Sequence, residues 1–568
     1  MAFGERRWPG AASTIEPARP RPSPASRTRS WASPTGQRLA PWQWGALALL
    51  TAWAVAPIAY LELHAAAANG VFTGSTGALA GPDQFVYLDW LRQSGEHGLI
   101  ANRFDLAPSR AVFLHPMALV SGLLWRAGIS LPLALLAWIP VAVVALWAGF
   151  STYCSRLLPA RGAARPVAVL IALLFFSPAL LALDWSGAIP PLPRFELLLV
   201  SGEAMPAWQL WGYLHTALVL GLMAGCLVWL ADGLRTGARR PLGTAAAAVF
   251  VVSWLHPWQG VILLAIMGSL AVWGRLGRRY ARLAVPFGAG LLPLAYHAVL
   301  SHTDASWRLS ASLLRTPHVP LWMVAAGLGP LVLPALAGVR RPTDDAERML
   351  LLWPPIALGL YFTLREFPFH FLQGISLPLA VLAVRGWQRA RRGPLLAVIA
   401  VAALTLPGLV YESVTLHRSV RSNVSPYALA PGERDALSYL AASRHPGGVL
   451  SRFYLGMTVP AFTGRPTWVG QFQWTPNFDR RILLANQLLT GGLHPPQARR
   501  LVERTGAAFV LADCRSLQDL RPVLGPLVVD VRRFGCAAVY ELASPPEGRA
   551  SAPIRRRTAA AGSGAPRA

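Results

Sequence analysis

The sequence contains no lysine and has few charged residues of any kind. All 52 basic residues are arginines, against 26 acidic residues, and charged residues make up 14% of the 568-residue chain, whereas soluble proteins carry roughly a quarter. A nucleic-acid-binding protein would gather its positive charge on one soluble face among aromatic residues. Here the arginines lie between apolar stretches, as in the cytoplasmic loops of membrane proteins. We therefore predict no nucleic-acid partner.

The short motifs of several enzyme and transporter classes are also missing. There is no GxxxxGK[ST], HExxH, CxxC or GxSxG segment, which argues against an ATP-driven pump, a zinc protease and a serine hydrolase. No acidic residue falls in the middle of a predicted membrane span, which argues against an ion-coupled transporter. We predict no cofactor and no metal site, although a divalent metal stays possible.

The four cysteines fall into two groups. Cys154 and Cys226 lie in apolar stretches and are predicted to be inert packing residues. Cys514 and Cys536 lie in the polar C-terminal region, where two interpretations are open. They form a disulfide if that region faces an oxidising exterior, or they are two free thiols, which the sequence slightly favours.

Apolar runs dominate the chain. Hydrophobic residues make up 54% of it and the mean hydropathy is +0.41. The runs are about 20 residues long, enough to cross a bilayer core of about 30 Å. The sequence predicts a polytopic α-helical membrane protein with about eleven transmembrane helices. These are expected near residues 42–63, 131–155, 166–184, 207–232, 242–256, 259–274, 282–300, 318–338, 348–364, 368–385 and 394–412.

The arginine-rich connectors decide how one ambiguous segment is treated. Residues 112–127 are apolar but short, and could form either a span or a helix lying in the interface. If they lie in the interface, every arginine-rich connector after residue 150 falls on the cytoplasmic side, as the positive-inside rule predicts. We therefore predict a juxtamembrane helix here, a cytoplasmic N-terminus, and a polar first loop and C-terminal region outside a bacterial cytoplasmic membrane.

The same patterns predict the domain organisation. Residues 1–40 form a disordered, Arg/Pro-rich cytoplasmic segment. Residues 41–412 form the transmembrane domain, whose first outer loop spans 64–130 and contains juxtamembrane helices. Alternating strand and helix patterns predict a small extracytoplasmic α/β domain over 413–543. The Pro/Ala/Arg-rich tail 544–568 is predicted to be disordered.

The longest polar interval before the C-terminal region contains the main catalytic candidate. Asp83 lies in GPDQFVYLDW, within residues 78–116. A carboxylate beside the membrane surface can act as a general base on an acceptor hydroxyl. An equally weighted alternative is an N-cap Asp that begins a helix. Tyr87 follows Asp83 by four residues and Gln84 by three, so on a helix it neighbours both.

Further candidates lie in segments predicted to face outside, and each has a structural alternative. His115 precedes Pro116, a pair more typical of a helix start than of a ligand. Arg194 is either an anion clamp or a surface charge. His256 is functional or sits in a solvated turn, and His215 is favoured as a packed histidine within a span. Arg365 can hold a lipid phosphate or extend to headgroups beside Glu366.

The order of these features resembles the GT-C superfamily of membrane glycosyltransferases. One span precedes a large outer loop with an early acid, an interfacial helix opened by His-Pro, many further spans and an outer C-terminal domain. The HPM segment at residues 115–117 resembles the HPP or KPP element of protein O-mannosyltransferases and lipid A aminoarabinose transferases. GMTVPAFTGRPTWVG, followed by GAAFVLAD, resembles the C-terminal part of large bacterial GT-C-like proteins.

The resemblance implies transfer of a sugar from a polyprenyl-phosphate carrier to a glycan, lipid or protein acceptor outside the membrane. Asp83 would correspond to the base and Arg365 to the residue that steadies the carrier phosphate. The expected substrate-binding and carrier-binding residues are Gln84, Tyr87, His115, Arg194, His256, Arg365 and His370.

The sequence departs from this superfamily at one position. Many members carry paired acids in the first loop, but Gln84 follows Asp83 here. This leaves metal dependence and catalytic activity open. A non-catalytic lipid-binding, glycan-binding or flippase-like protein is the first alternative, and a secondary transporter is the second. The glycosyltransferase hypothesis predicts that Asp83, Arg365 and His256 meet in one outer cavity.

Overall fold

A computed structural model describes residues 39–543, except for 78–80, 161, 188–198, 317, 390–393, 423–424 and 517. Both predicted disordered ends lie outside the described residues, apart from residues 39 and 40. The described residues from Trp42 onward form one compact unit.

Helices account for most of the described chain before residue 423. Their bounds are Pro41–Ala67, Gly81–His97, Pro116–Arg126, Leu131–Leu136, Ile139–Leu157, Ala164–Leu174, Pro178–Trp185, Leu214–Thr236, Arg239–Leu255, Pro257–Trp273, Ala284–Thr303, Ala305–Leu313, Leu321–Gly338, Asp345–Thr363, Ser376–Arg389 and Pro394–Ser422.

Eight segments of the described chain are long and apolar enough to cross a membrane. They are Pro41–Ala67, Leu131–Leu157, Ala164–Trp185, Leu214–Thr236, Arg278–Thr303, Leu321–Gly338, Pro368–Arg389 and Ala397–Ser422. The chain is therefore a multi-pass membrane protein, as predicted. The three other predicted spans coincide with the helices Arg239–Leu255, Pro257–Trp273 and Asp345–Thr363. The total of eleven stays a prediction.

The ambiguous apolar segment forms a short helix. Pro116–Arg126 has 11 residues, which at 1.5 Å per residue is about 16 Å, half of a bilayer core. It packs against Gly81–His97 with almost no separation, because a Cβ added to Gly122 would lie 2.4 Å from the backbone nitrogen of Gly95. Neither of these two helices in the first loop is among the eight described segments long and apolar enough to cross a membrane, and their juxtamembrane position stays a prediction.

Arginines lie at the same end of three consecutive helices. Leu214–Thr236 carries Arg235 in its last turn, and the next helix begins with Arg239 and runs back to Leu255. Pro257–Trp273 then reverses direction again, so that Arg275 lies back at the arginine end. Because the helices run antiparallel, the arginine-rich connectors share one end and the Leu255–Pro257 turn lies at the other.

Buried acids pair with arginines at that end. Asp345 and Glu347 lie in the first turn of Asp345–Thr363, where carboxylates also interact favourably with the helix dipole. Asp345 is 3.1 Å from Arg279, and Glu347 is 3.1 Å from the buried Arg385. These pairs join neighbouring helices on the side away from the polar loop.

The C-terminal region contains the predicted mixture of strands and helices. A four-stranded sheet has the order β3 (Val449–Ser451), β4 (Phe509–Ala512), β6 (Ala537–Leu542), β5 (Val528–Phe534), with β3 parallel to β4 and the other pairs antiparallel. The associated helices are Pro431–Ala442, Phe453–Gly456, Val459–Thr463, Phe478–Thr490, Pro495–Thr505 and Arg521–Leu524.

Two details differ from the sequence prediction. The segment VLSRFYL is a strand only as far as Ser451, and Phe453 begins a helix. The last long helix continues past residue 413 to Ser422, so the predicted domain boundary falls inside it. A two-stranded ladder of β1 (Val71–Phe72) and β2 (Ala428–Leu429) then ties the first loop to the start of the C-terminal region.

The structure decides between the two interpretations of the C-terminal cysteines. Cys514 and Cys536 form a disulfide with an S–S distance of 1.98 Å, so the favoured pair of free thiols is wrong. Cys154 and Cys226 are buried and free, as predicted.

Backbone contact between two membrane helices generates a stability prediction. A Cβ added to Gly149 in Ile139–Leu157 would lie 2.0 Å from the carbonyl oxygen of Gly221, whereas one added to Gly268 meets nothing within 4 Å. Small residues permit such close packing in membranes. We expect Gly149→Ala to lower the thermal unfolding temperature of the purified protein, at an overpacking cost of about 1–3 kcal/mol. Gly268→Ala is the matched control and should not lower it.

The disulfide predicts a thiol count. After denaturation without reductant, maleimide should label two thiols, Cys154 and Cys226; after reduction it should label all four cysteines. Intact-mass spectrometry of protein taken from its native membrane measures the number of adducts. Four adducts without reductant would contradict the disulfide.

Candidate active site

One cavity of about 1170 Å³ opens among the helix ends opposite the arginine connectors. The helix Gly81–His97 of the first loop, the ends of several membrane helices and the Gln473–Trp474 segment of the C-terminal region all contribute to its wall. The polar and aromatic residues that line it are Asp83, Tyr87, Trp90, His115, Glu203, Tyr213, His215, Trp254, His256, Trp258, His297, His302, Trp307, Arg315, His318, Arg365, Glu366, His370, Gln473 and Trp474.

Asp83 lies in the first turn of Gly81–His97, but its side chain turns away from the helix. The Tyr213 hydroxyl donates to Oδ2 at 2.7 Å, and the Gln471 amide donates to Oδ1 at 2.6 Å. Burial raises the pKa of Asp83 above the usual aspartate value, and the two hydrogen bonds oppose this rise. The result is a positioned carboxylate that is a stronger base than an exposed aspartate.

Tyr87 and Tyr213 surround the carboxylate. The Tyr87 ring centroid lies 5.0 Å from that of His215 and 6.3 Å from that of Tyr213. Burial, reinforced by the charges of Asp83 and Glu203, raises the pKa of Tyr87 far above its usual value. Its hydroxyl therefore stays protonated and can donate a hydrogen bond.

Four histidines follow one another along the wall. The ring-centroid distances are 6.1 Å from His115 to His215, 6.1 Å from His215 to His256 and 5.0 Å from His256 to His370. No group of three or more His, Cys, Asp or Glu side chains within the described ranges has a geometry that could hold a metal ion. The imidazole nitrogens along this row can donate or accept hydrogen bonds.

His115 begins the helix at Pro116, as one of its two interpretations predicted, and it also lines the cavity. Its Nδ1 accepts the backbone N–H of Ala118 at 3.2 Å and caps the helix that begins at Pro116. Burial lowers the pKa of His115 to about 3, so the ring is neutral near pH 7. Because Nδ1 accepts, Nε2 carries the proton in that neutral ring.

The mouth of the cavity carries two exposed arginines. The Arg365 carbonyl accepts the Thr316 N–H at 3.1 Å, which aligns the segments around Arg315 and Arg365. Arg315 lies 3.9 Å from Glu366, and both of these side chains are more than half exposed. Arg365 and Arg315 together offer two guanidinium groups to an anion at this mouth.

An aromatic wall of Trp90, Phe113, Trp307 and Trp474 faces the carboxylate side. The rings of Trp307 and Trp474 have centroids 4.9 Å apart, and those of Phe113 and Trp307 are 4.3 Å apart. The wall thus packs the C-terminal region against the first loop. It also excludes water from one side of the cavity, which strengthens electrostatic interactions inside.

The predicted site residues separate into three groups. Those that line the cavity are Asp83, Tyr87, His115, His256, Arg365 and His370. The Gln84 side chain instead accepts from the backbone N–H groups of Thr76 and Gly77 at 2.8 and 3.0 Å, and so holds the preceding loop. Arg194 lies outside the described residues.

Several cavity residues were missed as site residues by sequence reasoning. His215 was interpreted as a packed span histidine, although an ionisable residue in a membrane segment is itself a signal. Glu203 was visible only as one acid in a polar loop. Nothing in the sequence connects Asp83 with Tyr213 and Gln471, which are 130 and 388 residues away.

Comparison with known proteins gives matches at the level of structure. The oligosaccharyltransferase AglB from Archaeoglobus fulgidus, solved with an inhibitory peptide and a dolichol-phosphate, is 16% identical with a TM-score of 0.40, over 85% of this chain and 71% of that one. ArnT from Cupriavidus metallidurans, solved with undecaprenyl phosphate, is 13% identical with a TM-score of 0.45, over 87% and 98%. No protein family and no curated sequence matches the chain.

The environment of Asp83 predicts a measurable titration. Infrared difference spectra of the purified protein can follow the band of the protonated Asp83 carboxyl group, which is identified by its absence in Asp83→Asn. The midpoint of its titration should lie above about pH 3.9, the usual pKa of aspartate. Gln471→Leu removes a donor that stabilises the carboxylate and should move the midpoint higher still. Gln473 lines the same cavity, so Gln473→Leu is the matched control. An unchanged midpoint in Gln471→Leu would contradict the hydrogen bond.

Proposed function

We propose that this protein transfers a sugar from a polyprenyl-phosphate carrier to an acceptor hydroxyl at the outer face of the cytoplasmic membrane. One observation carries the proposal. A buried, hydrogen-bonded carboxylate, Asp83, shares a cavity at the ends of membrane helices with two exposed arginines, Arg315 and Arg365. A base on one side and cations on the other suit a displacement with an anionic leaving group.

Asp83 acts on the acceptor. Its carboxylate takes the proton from the acceptor hydroxyl as the oxygen attacks the anomeric carbon of the sugar. The Tyr213 and Gln471 hydrogen bonds hold both carboxylate oxygens in place, and the raised pKa of Asp83 makes this proton transfer more favourable than at an exposed aspartate.

The arginines act on the carrier. When the bond between the anomeric carbon and the phosphate oxygen breaks, its electron pair stays on the oxygen and the phosphate gains negative charge. Guanidinium groups bind phosphate oxygens through paired hydrogen bonds. Arg365 and Arg315 at the mouth therefore stabilise charge that develops on the leaving group, while the polyprenyl chain stays in the lipid.

Two features support an outward-facing cavity. The arginine-rich connectors lie at the opposite helix ends, and such connectors face the cytoplasm in most membrane proteins. The Cys514–Cys536 disulfide belongs to the same C-terminal region as Gln471, and disulfides persist in oxidising compartments. The acceptor is then an extracytoplasmic glycan, lipid or protein.

The decisive variant is Asp83→Asn. In a deletion strain complemented with this variant, we expect the product of transfer to fall at least about 100-fold, because an amide cannot accept the hydroxyl proton. Mass spectrometry of the glycolipids and envelope glycans of the deletion strain, compared with the complemented strain, identifies that product and measures it. Asp83→Glu, which keeps the base but displaces it, should retain partial transfer.

Asp89→Asn provides the matched control on the same helix. Asp89 is buried and does not line the cavity. Burial raises its pKa to about 7, so near neutral pH the uncharged carboxyl group is well populated, and the asparagine amide resembles it. We expect this variant to transfer normally. Full transfer by a correctly inserted Asp83→Asn would remove Asp83 from the role of base, and a deletion strain without any glycan change would favour a non-catalytic binding protein.

A further inference from the structure

A second carboxylate, Glu203, lies against the same cavity without a role in the reaction proposed above. Its side chain is 3% exposed. The Gln373 amide donates to Oε2, and the Gln209 amide lies 3.4 Å from the same oxygen. Oε1 lies 3.4 Å from Nδ1 of His370. Neutral amide donors do not balance a buried charge, and a buried carboxylate normally requires a cation.

A glutamine network fixes how His370 is presented. Gln259 donates to the His370 carbonyl at 2.7 Å and to Oε1 of Gln373 at 3.2 Å. This orients the Gln373 amide so that its nitrogen faces both Glu203 and, at 3.0 Å, the Nδ1 of His370. With Nδ1 directed at Glu203 and Gln373, the other ring nitrogen, Nε2, is left for a molecule in the cavity.

We propose that Glu203 is a positioning residue whose buried carboxylate lets His370 hold a second proton, which His370 delivers to the phosphate oxygen as the sugar leaves. This inference rests on the proposed function. In the singly protonated ring, Nδ1 accepts from the Gln373 amide. When the ring takes a second proton, Nδ1–H donates to Oε1 of Glu203 in place of that bond, and Nε2–H faces the phosphate. Glu203 does not touch the substrate.

The step conserves charge within the cavity. The bond between the anomeric carbon and the phosphate oxygen breaks, its electron pair stays on that oxygen, and the oxygen takes the Nε2 proton of His370. Asp83 gains the acceptor proton at the same time. One carboxylate and one imidazolium become neutral together, and the carrier phosphate leaves as a monoanion instead of a dianion. Such a coupled transfer is favourable because unbalanced charge is costly next to buried carboxylates.

Other charged groups face His370 and set the background for its titration. They are Asp83 across the cavity, His256 at a ring-centroid distance of 5.0 Å, and Arg365 and Glu366 in the segment leading to His370. Glu203 is distinguished from them because it is buried in direct contact with the ring, where screening is weak.

The test uses the detergent-solubilised full-length protein and farnesyl phosphate, a short polyprenyl phosphate that mimics the leaving carrier. Quenching of tryptophan fluorescence measures its Kd from pH 5.5 to 9, since Trp254 and Trp258 line the cavity. The second ionisation of the phosphate, near pH 6, is common to all variants. We expect wild-type affinity to fall as pH rises and His370 loses its second proton.

Glu203→Gln removes the negative charge in contact with the ring, so it should move that fall in affinity to lower pH and weaken binding about tenfold between the two midpoints. His370→Gln should remove this pH dependence, and the double variant should bind like His370→Gln alone. Glu366→Gln removes the same charge at the exposed mouth, where Glu366 is 60% exposed, and should leave the midpoint in place.

An unchanged midpoint in Glu203→Gln, or an additive effect in the double variant, would overturn the inference while leaving the proposed function intact. If the Glu203→Gln protein does not insert into the membrane, His370→Gln is compared with wild type. The inference is overturned if these two proteins bind farnesyl phosphate with the same pH dependence. Wild-type protein that does not bind farnesyl phosphate would contradict the proposed function and this inference together.

Discussion

The candidate site depends on one carboxylate that three distant parts of the chain hold together. Asp83 comes from the helix Gly81–His97 of the first loop, Tyr213 from the start of a membrane helix, and Gln471 from the C-terminal region. Hydrogen bonds to a charged group contribute about 1.5–3 kcal/mol each, and removing a carboxylate from water costs several kcal/mol. The two bonds offset part of that cost, and they also join the C-terminal region to the first loop and to a membrane helix.

The buried acids at the two ends of the membrane helices have different partners. At the arginine end, the buried acids Asp345 and Glu347 pair with Arg279 and Arg385 of other segments at about hydrogen-bond distance, so charge there joins neighbouring segments. At the cavity end, Asp83 and Glu203 contact tyrosine, glutamine and histidine instead. The charge of Asp83 is left available to a ligand, because neutral donors position a carboxylate without neutralising it.

Close packing between the membrane helices lets this scaffold stay rigid around an open cavity. Gly149 and Gly221 bring two helices into backbone contact, and Gly338 and Gly386 do the same for another pair. Between membrane helices there is no hydrophobic driving force of the kind found in water, so such contacts carry much of the packing. The aromatic wall of Trp90, Phe113, Trp307 and Trp474 then closes the side that helices leave open.

The sequence by itself determined the membrane class, the approximate positions of the helices and the mixed C-terminal region, because hydrophobic length and alternation are local properties of the chain. It also identified Asp83, His256 and Arg365 as chemically unusual for their positions. Only the tertiary structure decided that Gln84 holds a loop and that Cys514 meets Cys536. It alone brought Glu203, Tyr213 and Gln471 to the cavity, because hydrogen bonds across 130 to 388 residues leave no periodic trace in the sequence.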